Sequence, residues 1–307
     1  METRSKTRAG ARHALAGLVT SVFNQFATVL VNGEERTATI AGRLRRARPV
    51  VGDRVDLRET PDGSLRIEAV QERRGTLVRS GFRGEQQVVA ANVDLLVIVA
   101  ALADPPLRPR LIDRYLVAAW RGGIDAALAL TKADLPHDRA EAERVRALMR
   151  SLGHPVVDVV ATTGEGTHDV RRLIGRRVAV LAGHSGVGKT TLSNAITGRD
   201  DATAAVNEVV GRGRHTTTLA RYIQLAGGGA IIDTAGIRSF GIAGVDPEQL
   251  QNAFPEIAEA GLACRWQPCL HEEGEEGCAV PDDPRITAER LDSYRRLLDE
   301  LREESAS

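Results

Sequence analysis

Beyond the middle of the chain, the octapeptide Gly183-His184-Ser185-Gly186-Val187-Gly188-Lys189-Thr190 matches the spacing G-x-x-x-x-G-K-[ST] of a phosphate-binding loop. Glycines let successive backbone N–H groups converge on one phosphate, and a helix starting at Lys189 adds positive potential at its N-terminus. The Lys189 ammonium bridges β and γ oxygens, Thr190 offers its hydroxyl to Mg²⁺, and Thr191 extends the helix's first turn. The motif implies a nucleoside triphosphate held with Mg²⁺. It specifies neither the base nor the fate of the γ-phosphate.

Two further segments address the phosphate end. Asp233-Thr234-Ala235-Gly236 closes an apolar run, as expected of a carboxylate that holds Mg²⁺ through water and a glycine whose N–H meets the γ-phosphate. Between it and the loop, Gly211-Arg212-Gly213-Arg214-His215-Thr216-Thr217-Thr218 is basic and hydroxyl-rich, with Thr217 expected as a second Mg²⁺ ligand. The residue after Gly236 is Ile237, which cannot orient an attacking water as a glutamine there would. His215 is the nearest ionisable alternative.

The base must be read upstream. Thr131-Lys132-Ala133-Asp134 follows one apolar run and Val160-Ala161 ends another. A carboxylate at Asp134 accepts both N1–H and N2–H₂ of guanine, a pair adenine does not offer, and Ala161 stands at the carboxyl end of the other strand.

A separate constellation lies near the C-terminus. Cys264, Cys269, His271 and Cys278 give C-x4-C-x-H-x6-C and include every cysteine of the protein. Three thiolates and one imidazole complete a tetrahedral site for one structural Zn²⁺, with no position open for catalysis.

The rest of the chain must supply elements to hold these residues. From residue 18 to about 77, short β-prone runs (19–31, 36–44, 54–58, 65–70) are punctuated by Asn32-Gly33, Gly52-Asp53 and Asp62-Gly63. Such hairpin signals at this spacing predict a small OB-type barrel. Beyond residue 90 strands alternate with helices: strands at 93–100, 126–130, 156–160 and 177–182, helices at 110–120, 138–152, 167–174 and 189–197. That alternation is a doubly wound α/β domain with both nucleotide-facing segments at strand carboxyl ends. A hairpin of 221–225 and 230–233 around Gly227-Gly228-Gly229 falls on the sheet edge, and the chain past residue 246 is helical and acidic. The expected divisions are 1–77, a basic tail and RNA-binding barrel; 78–245, the nucleotide domain; and 246–307, the zinc module.

The zero formal net charge hides an asymmetry. Residues 1–48 carry nine Lys/Arg against three Asp/Glu, and 246–307 carry six against sixteen, so the basic end is the one suited to a polyanion. Arg43, Arg45, Arg46 and Arg48 fall in the barrel. No apolar run approaches the roughly 20 residues that span a bilayer, so a cytoplasmic protein without a membrane partner is expected. A monomer is expected as well.

The order of these motifs, base readers first and phosphate loop afterwards, resembles the circularly permuted GTPases. In whole-chain layout the sequence resembles the RsgA (YjeQ) family of small ribosomal subunit biogenesis GTPases, through GHSGVGKTTL at 183–192, GRGRHTTT at 211–218, DTAGIRSF at 233–240 and the Cys/His spacing from Cys264. The resemblance runs from about residue 19 to 280. It implies GTP and GDP as ligands, the small ribosomal subunit and its rRNA as partners, hydrolysis stimulated by that subunit, and a catalytic role for His215. Where the family places asparagine at the head of N-K-x-D this chain has Thr131, whose shorter side chain is expected to lower guanine affinity. An RNA-assembly factor that uses GTP as a clamp without hydrolysing it is the competing reading. A phosphoryl-transferring kinase would leave Asp134 and the Thr-rich loop idle.

Overall fold

The computed structural model describes residues 15–45, 47–80, 86–198, 220–233, 242 and 244–306. Five strands form the first unit: β1 (Leu15–Phe23), β2 (Phe26–Val31), β3 (Glu34–Ile40), β4 (Arg54–Glu59) and β5 (Leu65–Val70). They close into a barrel in the order β1-β2-β3-β5-β4, antiparallel except where β3 runs parallel to β5. The run 19–31 is two strands, because Asn24 takes a positive φ of 49° and turns the chain at Asn24-Gln25. Alternate residues Val19, Val29, Val55 and Ile67 point inward and are fully buried. Asp53 is also buried, and is held by two 2.8 Å bonds from Arg73.

Between barrel and sheet lies an element that the sequence pattern does not announce. β6 (Leu77–Ser80) and β7 (Gln86–Ala90) pair as a separate antiparallel ribbon. Leu77 and Ala90 anchor it in the core beneath α1 (Pro109–Gly122).

The second unit alternates β8 (Leu95–Ala101), α1, β9 (Asp125–Thr131), α2 (Arg139–Ser151), β10 (Val156–Val159), α3 (Thr167–Ile174), β11 (Val178–Ala182) and α4 (Lys189–Thr197), followed by β12 (Arg221–Gln224) and β13 (Ala230–Asp233). The six strands lie in the order β10-β9-β8-β11-β13-β12; all neighbours are parallel except the β12/β13 hairpin at the edge. All seven residues of β8 are buried, as a central strand covered on both faces requires. Leu96, Ile98, Leu128 and Leu130 face α1 and α2, while Val97, Val99, Ala127 and Ala129 face α3 and α4. Asp138 caps α2 by accepting from Ala140 N and Glu141 N.

The third unit packs a 3₁₀ turn (Pro247–Ala253), α5 (Pro255–Gly261), the cysteine-bearing segment and α6 (Ala288–Ala306) around Phe254 and Tyr294, whose rings meet edge to face at 5.3 Å. This module sits on α1, from which Val117 enters its core. Within the described residues no helix is long and apolar enough to cross a membrane.

Candidate functional site

Four strand ends define one edge of the sheet. Since β10, β9, β8, β11 and β13 are parallel neighbours, the segments after β9, β10, β11 and β13 all emerge at their carboxyl ends, the crevice where doubly wound folds take ligands.

The loop after β11 is shaped by its glycines. A Cβ on Gly183 would lie 2.2 Å from the Val99 carbonyl oxygen, so the loop can leave the sheet only without a side chain there. Gly186 and Gly188 take φ of 84° and 87°, conformations that L side chains resist. No side chain caps α4 and its first turn carries no acidic residue, so its leading amides remain available to an anion. Ser185, Thr190 and Thr191 are exposed on this rim. The Lys189 Nζ donates to the His184 carbonyl across the loop at 2.7 Å. Burial lowers the Lys189 pKa, and the Asp233 carboxylate at the end of β13 opposes that shift. Burial, then Arg108 and Lys189, lowers the His184 pKa; Arg108, at the start of α1, belongs to the surroundings of the loop although no motif marks it.

The Thr131–Asp134 segment begins at the end of β9. Thr131 is buried, and its hydroxyl donates to the Val187 carbonyl of the loop at 2.6 Å, with Ala100 O of β8 at 3.3 Å. Lys132 turns at a positive φ of 56° and its ammonium bonds the Asp104 carbonyl. Ala133 N donates to Val159 O at 3.4 Å, and Asp134 is exposed beyond it. Ala161 follows β10 in a turn closed by Val160 N to Glu165 O at 3.0 Å. Among the described residues, the loop 183–190, the Thr131–Asp134 segment, the turn at Ala161 and Asp233 at the end of β13 thus share one edge of the sheet. Thr217, His215, Gly236 and Ile237 lie outside the described residues.

The cysteine cluster is assembled by the third unit. The ligand atoms of Cys264, Cys269, His271 and Cys278 all lie within 4.8 Å of one another. Cys264 and Cys278 sulfurs are 3.9 Å apart, and His271 Nδ1 is 3.7 Å and 3.5 Å from them. Tetrahedral Zn²⁺, with Zn–S near 2.3 Å and Zn–N about 2.0–2.1 Å, spaces its ligands by about 3.5–3.8 Å, so the residues fit that ion. Gln251, twenty residues upstream and unmarked by any motif, accepts from His271 Nε2 at 3.0 Å and so turns Nδ1 toward the thiols. Burial lowers the His271 pKa, favouring the neutral imidazole that a metal needs.

Comparison with known proteins agrees with this layout. The family model described as RsgA GTPase matches residues 70–243. The protein named small ribosomal subunit biogenesis GTPase RsgA in Ectopseudomonas mendocina is 40% identical over 261 residues, covering 83% of this chain and 76% of that protein. The protein of the same name in Chlorobaculum parvum is 39% identical over 267 residues, covering 82% and 85%. The crystal structure of YjeQ from Thermotoga maritima superposes with a TM-score of 0.71 at 28% identity, over 94% of this chain and 98% of that one. YloQ, described as a circularly permuted GTPase, gives 0.71 at 26% identity over 97% and 98%.

Proposed function

The chain belongs to the RsgA GTPase family, and from that premise we propose that it hydrolyses GTP during biogenesis of the small ribosomal subunit, with its nucleotide state governing its docking there. The observation that carries the reading is the common sheet edge, at which the loop 183–190 is tied to the Thr131–Asp134 segment by the Thr131–Val187 hydrogen bond. In this reading the amides of Gly183, His184, Ser185, Gly186, Val187 and Gly188, with those of Lys189, Thr190 and Thr191 at the start of α4, surround the β-phosphate. Lys189 spans β and γ oxygens, and Gly236 N–H meets the γ-phosphate. Thr131, Lys132, Ala133 and Asp134 cradle the guanine with Ala161. Thr190, Asp233 and Thr217 hold Mg²⁺, which when bound neutralises charge on the β and γ oxygens. His215 holds the attacking water, a task the Ile237 side chain has no group to perform.

The division of labour we assign follows residues 1–77, 78–245 and 246–307: barrel for RNA, central domain for GTP, zinc module for structure. In the barrel, Arg43 is drawn onto Glu68 at 2.7 Å, so the phosphate contacts fall to the exposed Arg45 and Arg48, with Arg46 beside them in sequence. Phe23 and Phe26, 55% and 40% exposed, pair across the β1–β2 turn, and Arg48 bonds the Asn24 carbonyl in that turn. Exposed aromatics next to arginine suit unpaired bases and phosphates of rRNA.

Co-sedimentation with small subunits tests the reading. Binding should be strong with a non-hydrolysable GTP analogue and weak with GDP; equal binding in both states sinks it. His215→Ala should retain analogue-dependent binding while losing subunit-stimulated phosphate release.

A further inference from the structure

Thr131 is only 1% exposed and lies between two carbonyl oxygens, Val187 O at 2.6 Å and Ala100 O at 3.3 Å. A hydroxyl carries one proton, and both neighbours only accept, so the proton goes to the shorter contact at Val187. Peptide planarity carries that constraint onward: in the trans Val187–Gly188 peptide the C=O and N–H point in opposite directions. Holding Val187 O against the Thr131 hydroxyl at the end of β9 therefore aims the Gly188 N–H away from Thr131. Gly188 is packed accordingly, at φ 87° with Thr131 Oγ1 3.9 Å from where its Cβ would stand.

An asparagine here would bring two N–H donors, one for the loop carbonyl and one left over for an acceptor on the base. Threonine brings one, and it is committed.

We propose that Thr131 is a positioning residue for the phosphate loop that leaves guanine N7 unread, so that this chain selects guanine through Asp134 at N1–H and the exocyclic amine and accepts guanine nucleotides altered at N7. The proposal rests on the base reading assigned to Asp134 above. The consequence is a substrate range wider at N7 than that of a protein with asparagine at this position.

The test is equilibrium binding of GDP, 7-deaza-GDP and ADP to the full-length protein and to Thr131→Asn, Thr131→Ser and Thr131→Val. Wild type should bind GDP and 7-deaza-GDP within about twofold of each other, since an acceptor that meets no donor loses nothing on removal. Thr131→Asn should acquire a preference for GDP of about fivefold, the worth of one net hydrogen bond. Thr131→Ser should keep wild-type affinities, and Thr131→Val should weaken GDP and 7-deaza-GDP alike. A fivefold or greater loss on 7-deaza-GDP by wild type, with ADP still rejected, overturns the proposal alone. ADP binding as tightly as GDP overturns the base reading, and the proposal with it.

Discussion

Arg290 of α6 forms an ion pair with Asp113 of α1 in which both side chains are almost wholly buried, 4% and 5% exposed. Glu256 of α5 takes the same guanidinium at 2.5 Å, and the Phe254 ring lies 4.2 Å from its central carbon. One arginine therefore joins the zinc module to the helix that begins beside the phosphate loop. Arg114 to Glu300 and Arg110 to Asp292 extend the same contact at its exposed rim.

Arg290→Met should therefore destabilise the chain by about 3–5 kcal/mol, because two carboxylates stay buried without their cation. Burial raises the Asp113 pKa above its ordinary 3.8, and Arg290 opposes the rise. A carboxyl whose folded pKa is raised contributes stability below about pH 3.8 and loses it as pH climbs through the folded value. Removing Arg290 raises that value further, so the gap in melting temperature between wild type and Arg290→Met should narrow as pH falls below neutrality. Thermal melts across pH check this; a gap independent of pH contradicts it.

Zinc should copurify at one ion per chain. Cys269→Ser should release it and loosen α5 and α6 while GDP still binds. Gln251→Ala should leave the four ligands in place yet weaken zinc about 10–100-fold, the usual effect of losing a partner that orients a ligand histidine. Metal analysis with a competing chelator measures both, and an unaltered zinc affinity in Gln251→Ala would remove Gln251 from the account.

Guanine selection should fail in Asp134→Asn. Replacing one oxygen acceptor by an amide donor sets N–H against N–H, at about 1–3 kcal/mol or roughly 5- to 150-fold in GDP affinity. Isothermal titration gives the number; wild-type affinity in the variant would reassign base recognition.

The barrel should supply salt sensitivity. Charge reversal at Arg45 and Arg48 should reduce subunit-stimulated hydrolysis and leave basal hydrolysis unchanged. It should also flatten the salt dependence by about 0.9 in log–log slope for each phosphate left without its arginine. Equal stimulation of variant and wild type across salt concentrations would place the RNA-binding surface elsewhere.

Much of this architecture is legible in residue order. The α3 and α4 helices fall on the residues their periodicity marks, because the glycines on either side (Gly166 and Gly175, Gly188 and Gly198) end regular structure locally. The sheet edge is legible for the same reason: strands this apolar must lie between two helical layers. What escapes are relations between distant residues. Nothing in the sequence around Gln251 foretells His271, and nothing near Asp113 foretells Arg290, because tertiary contact alone creates those pairs. The β6/β7 ribbon escapes because its strands, LVRS and QQVVA, are about half polar and carry no long apolar run, and only the fold pairs them. Side-chain length alone ranks Thr131 below asparagine; the backbone brings Val187 to within its shorter reach.

The most direct measurement is phosphate release from GTP by the full-length protein, alone and with equimolar small subunits, large subunits serving as the control. Basal turnover should be slow, because Ile237 holds no water and His215 is expected to be set on it only in the docked state, and small subunits should raise it by at least tenfold, toward the roughly 10³–10⁵ that a completed catalytic site gives other GTPases. Large subunits should have no effect. Hydrolysis at the same rate with and without small subunits would contradict the account.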